Sequence, residues 1–200
     1  MQRIIELNRA FIHLRNLFIV AVLVFITACA HPGAGEKYRD DKMDFGAIKN
    51  VAVMPLANLS KDQAAADRVR DVFVTALLAS GGVYVIPTGE VARGIGLAGI
   101  QNPTAPSSAE IIKFGPIVKA DAVVTGVVRE YGELRSGSSS ANVISLSLQM
   151  FETQTGRVVW STATTRGGIG MMDRLLGGGG DPMNGITEKA IKELVNQFYE

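Results

Sequence analysis

Apolar positions fall into three patterns along this chain, and each predicts a different kind of element. The first is a solid run without charge, Leu17 to Ile26. It is too short to cross a bilayer, which takes about 20 apolar residues. The second is the short apolar block bounded by turn residues. Val51-Ala52-Val53-Met54-Pro55-Leu56, Val83 to Ile86 and Ala122 to Val128 each predict a buried strand. The third is periodic. Val69, Val72, Phe73, Ala76 and Leu77 recur at helical spacing with Arg68, Arg70 and Asp71 on other faces, which predicts a helix lying on a sheet. From Asn142 to Glu152, Ile144, Leu146, Leu148 and Met150 alternate with Ser145, Ser147 and Gln149, a strand with one wet face.

Turn and cap residues set the boundaries. Ser60-Lys61-Asp62-Gln63 reads as a capping box for the first helix, and Gly81-Gly82 as its stop. Thr88 caps a brief helix through Glu90 and Val91, followed by a Gly-, Pro- and Ser-rich loop from Gly94 to Pro106. Ser107-Ser108-Ala109-Glu110 is a second capping box whose helix carries Ile111, Ile112 and Phe114, with Gly115-Pro116 interrupting it. The link from Tyr131 to Ala141 is polar, and Ser136-Gly137-Ser138-Ser139-Ser140 reads as a solvated hairpin tip. Thr153-Gln154-Thr155-Gly156 is a turn into a strand from Arg157 to Thr165. Asp181-Pro182 opens a last helix that buries Ile186, Ala190, Ile191, Leu194, Val195 and Phe198. The order β-α-β-α-α-β-β-β-α predicts an α+β (mixed α/β) domain, about five strands with helices packed against them.

The leader changes the picture. Arg3, Arg9 and Arg15 stand against Glu6 ahead of the solid run, and small residues close it at Ile26-Thr27-Ala28-Cys29. A basic head, a short apolar middle and a small-residue end describe a secretory signal. Cys29 is the chain's single cysteine and has no internal disulfide partner. The arrangement resembles the lipobox of bacterial lipoproteins. That resemblance implies cleavage after Ile26, Thr27 and Ala28, acylation of Cys29 and anchoring in membrane lipid. An ordinary signal or anchor helix ending in a buried thiol is the alternative. The small residues Ala30-His31-Pro32-Gly33-Ala34-Gly35 suit a tether. Ala30, where an Asp would retain an inner-membrane lipoprotein, implies the outer membrane with the domain facing the periplasm. A host with one membrane would place it on the outer leaflet of the plasma membrane. The expected division is a signal peptide over 1–28, a flexible tether over 29–44 and a single domain over 45–200.

Charge and chemistry narrow the function. The whole chain carries a net charge of +1, and the signal's arginines supply the excess. The nearly neutral remainder does not point to nucleic acid. His13 and His31 both lie outside the domain, which leaves it no imidazole and no thiol. Zinc sites, thiol nucleophiles and a Ser-His-Asp triad are thereby excluded from it. The carboxylates show no paired spacing; an enzyme reading would rest on Asp121 or Glu130. No cofactor or metal is expected, and the reading is of a protein that is not an enzyme.

Gly94-Ile95-Gly96-Leu97-Ala98-Gly99 matches a dinucleotide fingerprint by letter but does not directly follow a strand. Gly177-Gly178-Gly179-Gly180 lacks the Lys-Ser/Thr of a phosphate loop and runs into Asp181. Met171, Met172, Leu175 and Leu176 sit between glycine runs, as a loop closing over the core or as a patch docking a partner or neighbouring subunit. Trp160 is a core position or an interface anchor.

Three segments carry a wider resemblance. Val51 to Ser60 is similar to the first strand and Asn-containing turn of the outer-membrane lipoprotein superfamily that includes CsgG and LpoB. Ala120 to Val128 resembles its Gly-Ala-Asp strand, with Lys119 where a glycine is common, and Glu152 to Trp160 resembles its Thr-Gly hairpin. Gly82 to Pro87 is similar to the small lipoproteins typified by a meningococcal surface antigen. The resemblance implies a non-catalytic domain that binds an envelope protein or assembles as a homo-oligomer. A curli-type secretion subunit and an activator of a cell-wall synthase are the open alternatives. A membrane strand needs about 9–11 residues beyond the soluble sheet, so the polar Tyr131–Ala141 link disfavours a pore.

Overall fold

The computed structural model describes residues 37–137, 139–168 and 181–199. Its elements are β1 (Lys37–Arg39), β2 (Asn50–Val53), β3 (Ala57–Asn58), α1 (Ala65–Ser80), β4 (Tyr84–Val85), α2 (Thr88–Ala98), α3 (Ser108–Val118), β5 (Ala122–Ser136), β6 (Ser139–Glu152), β7 (Val158–Gly167) and α4 (Met183–Tyr199). The sheet runs β1-β7-β6-β5-β2-β4, and β3 pairs with β5 beyond the end of β2. β2 and β3 lie parallel to β5, and β4 is parallel to β2. The β5-β6-β7-β1 half is antiparallel. The class is the expected α+β. The sheet has seven strands rather than about five, and the two additions, β1 and β3, are among the shortest. β1 draws residues from the stretch read as tether onto β7, pairing Lys37 with Thr162 and Arg39 with Trp160.

Alternation divides the core between the two faces of the sheet. Val51 and Val53, Val124 and Val128, and Ile144, Leu146, Leu148 and Met150 meet α1 through Val69, Phe73 and Leu77, and α4 through Ile186, Ile191 and Leu194. Trp160 belongs to this cluster at 1% exposure, against Phe198 at 5.9 Å between ring centroids. The opposite face is smaller. Ala52, Met54 and Val123 pack under Val91 of α2 and Ile111 and Phe114 of α3. Farther along that face, Gln149 and Thr165 are exposed and Ser147 is half-buried, but Ser145, expected to be wet, is buried beside Val143, so the predicted wet side holds only in part.

Polar side chains tie α4 to β7: Thr164 donates to Glu193 Oε2 at 2.8 Å, Arg166 Nε donates to the same oxygen at 2.7 Å, and Thr162 donates to Gln197 Oε1. Arg70 of α1 donates Nε (3.1 Å) and Nη2 (2.5 Å) to the carbonyl of Val53, where β2 leaves the sheet. Burial lowers its pKa, and Asp67 opposes that shift.

Local expectations are corrected in four places. The first helix begins at Ala65 with no side-chain cap, so the Ser60–Gln63 capping box does not form. Asn58 claims the Ser60 hydroxyl instead, and Asp62 Oδ1 accepts the Ala64 N–H at 2.9 Å. α2 continues to Ala98, through glycines read as loop. Its Gly94 allows close approach to α3, where an added Cβ would lie 2.3 Å from Val118 Cγ1. α3 runs through Gly115-Pro116 to Val118, and Pro116 forfeits one i→i−4 hydrogen bond in the last turn. The Ser107–Glu110 box is present as read. Finally, the Tyr131–Ala141 link is strand on both sides. β5 and β6 stay paired from Ala122↔Glu152 to Ser136↔Ser139, with the register shifting by one residue at a bulge between Val128 and Glu130. Cross-strand pairing holds a polar ribbon that periodicity of apolar residues does not reveal.

Candidate partner-docking cleft

A cleft opens where β3 stops. Leu59 N–H still donates to the carbonyl of Val128 at 2.8 Å, and then the chain turns away. Asn58 organises that turn. Its Nδ2 donates to the carbonyls of Asp62 (2.8 Å) and Gln63 (3.1 Å), and its Oδ1 accepts from the Ser60 N–H (3.0 Å) and hydroxyl (2.8 Å). Asp62 in turn pairs with Arg68 at 2.8 Å. The loop is fixed by its own hydrogen bonds, as Asx-type turns are, and presents Leu59 at 71% exposure.

The other wall is β5 beyond its bulge. From Glu130 to Ser136 that strand pairs with β6 on one side and, among the described residues, with no strand on the other. Leu134 stands there 48% exposed. Between the walls lies a cleft of about 520 Å³, lined also by Tyr131, Gly132 and Val143. Arg135 and then Ser140 hold the Glu133 carboxyl below its usual range by hydrogen bonding. Lys61 and Glu130 are both exposed and line the cleft. Single leucines in polar surroundings are invisible to periodicity. The one available signal was Leu59 set between the turn formers Asn58 and Ser60.

A second concavity of about 620 Å³ runs between α1 and α4, floored by Val72, Ala76, Ala79, Ile191 and Val195, with Asp71, Glu188 and Lys192 also lining it.

The residues singled out for chemistry take structural posts. Asp121 Oδ2 accepts the N–H groups of Lys49 (2.9 Å) and Asn50 (2.8 Å) and so fixes the start of β2 beside β5. Thr153 of the Thr-Gly hairpin donates to the carbonyl of Ala120 at 2.7 Å. Gly156 closes that turn at φ 66°, where a Cβ would meet the Ser108 carbonyl oxygen at 2.7 Å. Asp121, Thr153 and Gly156 therefore form one structural joint. Glu130 is exposed on the cleft wall, remote in role from that joint. Gly94 to Gly99 form the end of α2, not a phosphate-binding turn. Trp160 is core, and its Nε1–H has no hydrogen-bond partner. Among the described residues, no group of three His, Cys, Asp or Glu comes together to hold a metal ion. No helix among them is long and apolar enough to cross a membrane. Ile26, Thr27, Ala28 and Cys29 lie outside the described residues, as do Met171, Met172, Leu175 and Leu176.

Residues 43–180, most of the chain, match the profile of the GNA1162-like lipoproteins. The chain belongs to that family. No curated protein matches it in sequence. Among solved structures, the PelC dodecamer from Paraburkholderia phytofirmans is 16% identical, with TM-score 0.56 over 82% of this chain and 95% of that one. Lipoprotein GNA1162 from Neisseria meningitidis is 22% identical, with TM-score 0.54 over 76% of this chain and 98% of that one. The LpoB C-terminal domain from Salmonella enterica is 16% identical, with TM-score 0.47 over 64% and 87%. For the GNA1162-like chain described here, PelC and GNA1162 establish a shared fold.

Proposed function

We propose that this protein is an acylated lipoprotein of the outer membrane whose domain, residues 45–200, binds another envelope protein and performs no reaction of its own. The match of residues 43–180 to a lipoprotein family supports this reading most directly. The lipobox-like Ile26-Thr27-Ala28-Cys29 supports the anchor, because acylation gives that lone thiol, which has no internal disulfide partner, an occupant. One acyl chain holds a protein weakly and several hold it durably. The domain adds a preformed cleft, walled by two exposed leucines, that can receive a protein segment.

Metabolic labelling with a clickable fatty acid tests the anchor. Wild type takes up label and sediments with the outer membrane, and Cys29→Ser loses both. An unlabelled wild type that washes out of the envelope defeats the reading. A second reading, a homo-oligomer, draws support from the PelC relative, which is a dodecamer. The Met171-Met172 and Leu175-Leu176 segment would then dock a neighbouring subunit. Replacing it with a short glycine linker should abolish self-association; unchanged oligomer mass rules that role out. A curli-type secretion subunit would add conductance across a bilayer, and a synthase activator would raise its enzyme's rate.

A further inference from the structure

From the open edge of β5 we infer that the cleft takes an extended segment of the partner as an added strand. The inference rests on the partner-binding reading and specifies how binding occurs. β3 shows what the edge can hold, since Ala57 and Asn58 pair there in parallel with Val127 and Val128 before the chain leaves. Past the bulge the same line continues along Glu130–Ser136 with its outer peptide groups unpaired by any described strand. Seven residues of strand offer about 23 Å of such edge.

Edge strands are usually blunted by Pro, charges, bulges or a cover. This one carries a bulge at Val128/Glu130 and the charges of Glu130, Glu133 and Arg135, yet no described strand covers it beside Leu59 and Leu134, 71% and 48% exposed. Main-chain pairing along an edge gives affinity, and apolar side chains at alternate positions give selectivity.

The walls also describe the occupant. Leu134 shares its face of β5 with Glu130, so alternate residues of an added strand would pack beside that leucine. Lys61 and Arg129 line the cleft with Asp62, Glu130 and Glu133, two cations against three carboxylates, so it favours a segment of mixed charge over a polybasic or polyacidic one. The occupant is thus an extended, near-neutral segment of an envelope protein, with apolar residues at every second position.

The test is photo-crosslinking in intact cells, using full-length chain with benzoylphenylalanine at Leu59, Leu134 or, as a control, the exposed Leu97 on α2. The expected result is that Leu59 and Leu134, but not Leu97, crosslink to one short stretch of one partner. That stretch, synthesised as a peptide, binds the full-length chain and loses about tenfold in affinity when its edge-facing amides are N-methylated. Methylation of the alternate amides leaves binding intact. Equal sensitivity in both phases, or none, overturns strand addition. Crosslinks from Leu134 to a second copy or to residues 169–180 of the same chain also overturn it. If Leu97 captures the partner while Leu59 and Leu134 do not, this inference fails and the partner-binding reading survives.

Discussion

The two faces of the sheet are finished differently. One carries α1 and α4 across β2, β5, β6 and β7 over a continuous apolar layer from Val51 to Trp160. The other carries α2 and α3 over Ala52, Met54 and Val123, and leaves Gln149 of β6 and Thr165 of β7 to water. Leu148 and Gln149 are adjacent on β6, yet one is fully buried and the other exposed. Stability is therefore concentrated on one side, and the open half-face and the cleft beside it cost the fold little to keep available.

Substitutions can break that contrast. The largest expected effect is Leu148→Ala, a loss of about 3 kcal/mol in chemical denaturation, because it opens a cavity in the closed face. A loss below about 1 kcal/mol would mean that the layer is not tightly packed. Gly94→Val comes next, at about 2 kcal/mol, since its Cβ would press on Val118 and Phe114 at 2.3 and 2.8 Å. It should spare the α1–α4 side, and amide exchange would show the opening confined to α2 and α3.

Ser107→Ala removes the α3 cap and should cost roughly 1 kcal/mol at neutral pH. The Ser107 hydroxyl and then its backbone N–H hold the Glu110 carboxyl below its ordinary 4.5. A lowered carboxylate contributes fully above its unfolded value and loses that contribution as pH falls through its folded one. The gap between wild type and Ser107→Ala should therefore be widest above pH 4.5 and narrow below it.

Lys119→Gly works the other way. Lys119 caps α3 at φ 58°, the only left-handed non-glycine among the described residues. The substitution should stabilise by about 0.5–1 kcal/mol, less than the full relief because glycine also loosens the unfolded chain. Gln149→Ala is the smallest, within about 0.5 kcal/mol of wild type by the same melt. A larger loss there would show that the open face is covered in solution.

Much of the fold could be read from residues. The Leu148 alternation, the α1 stripe, the Ser107 box and the α4 stripe are local patterns with a local cause, since a side chain's period sets which face it buries. The misreadings share another cause. Gly94 and Gly115-Pro116 look like breaks, yet lie inside helices because a neighbouring helix or the Thr153 side chain needs the space that glycine leaves. The cleft was less visible still: Leu59 had only its turn setting, and Leu134 had nothing.

The amino-acid order by itself determined the signal-like leader, the class of fold and the want of imidazole or thiol in the domain, because composition and periodicity are properties of the chain. Only the tertiary structure decided that Asp121 and Thr153 are joints and that β5 outruns β3. Those outcomes depend on which strands come to lie side by side, and a strand's free edge exists only once its neighbours have ended.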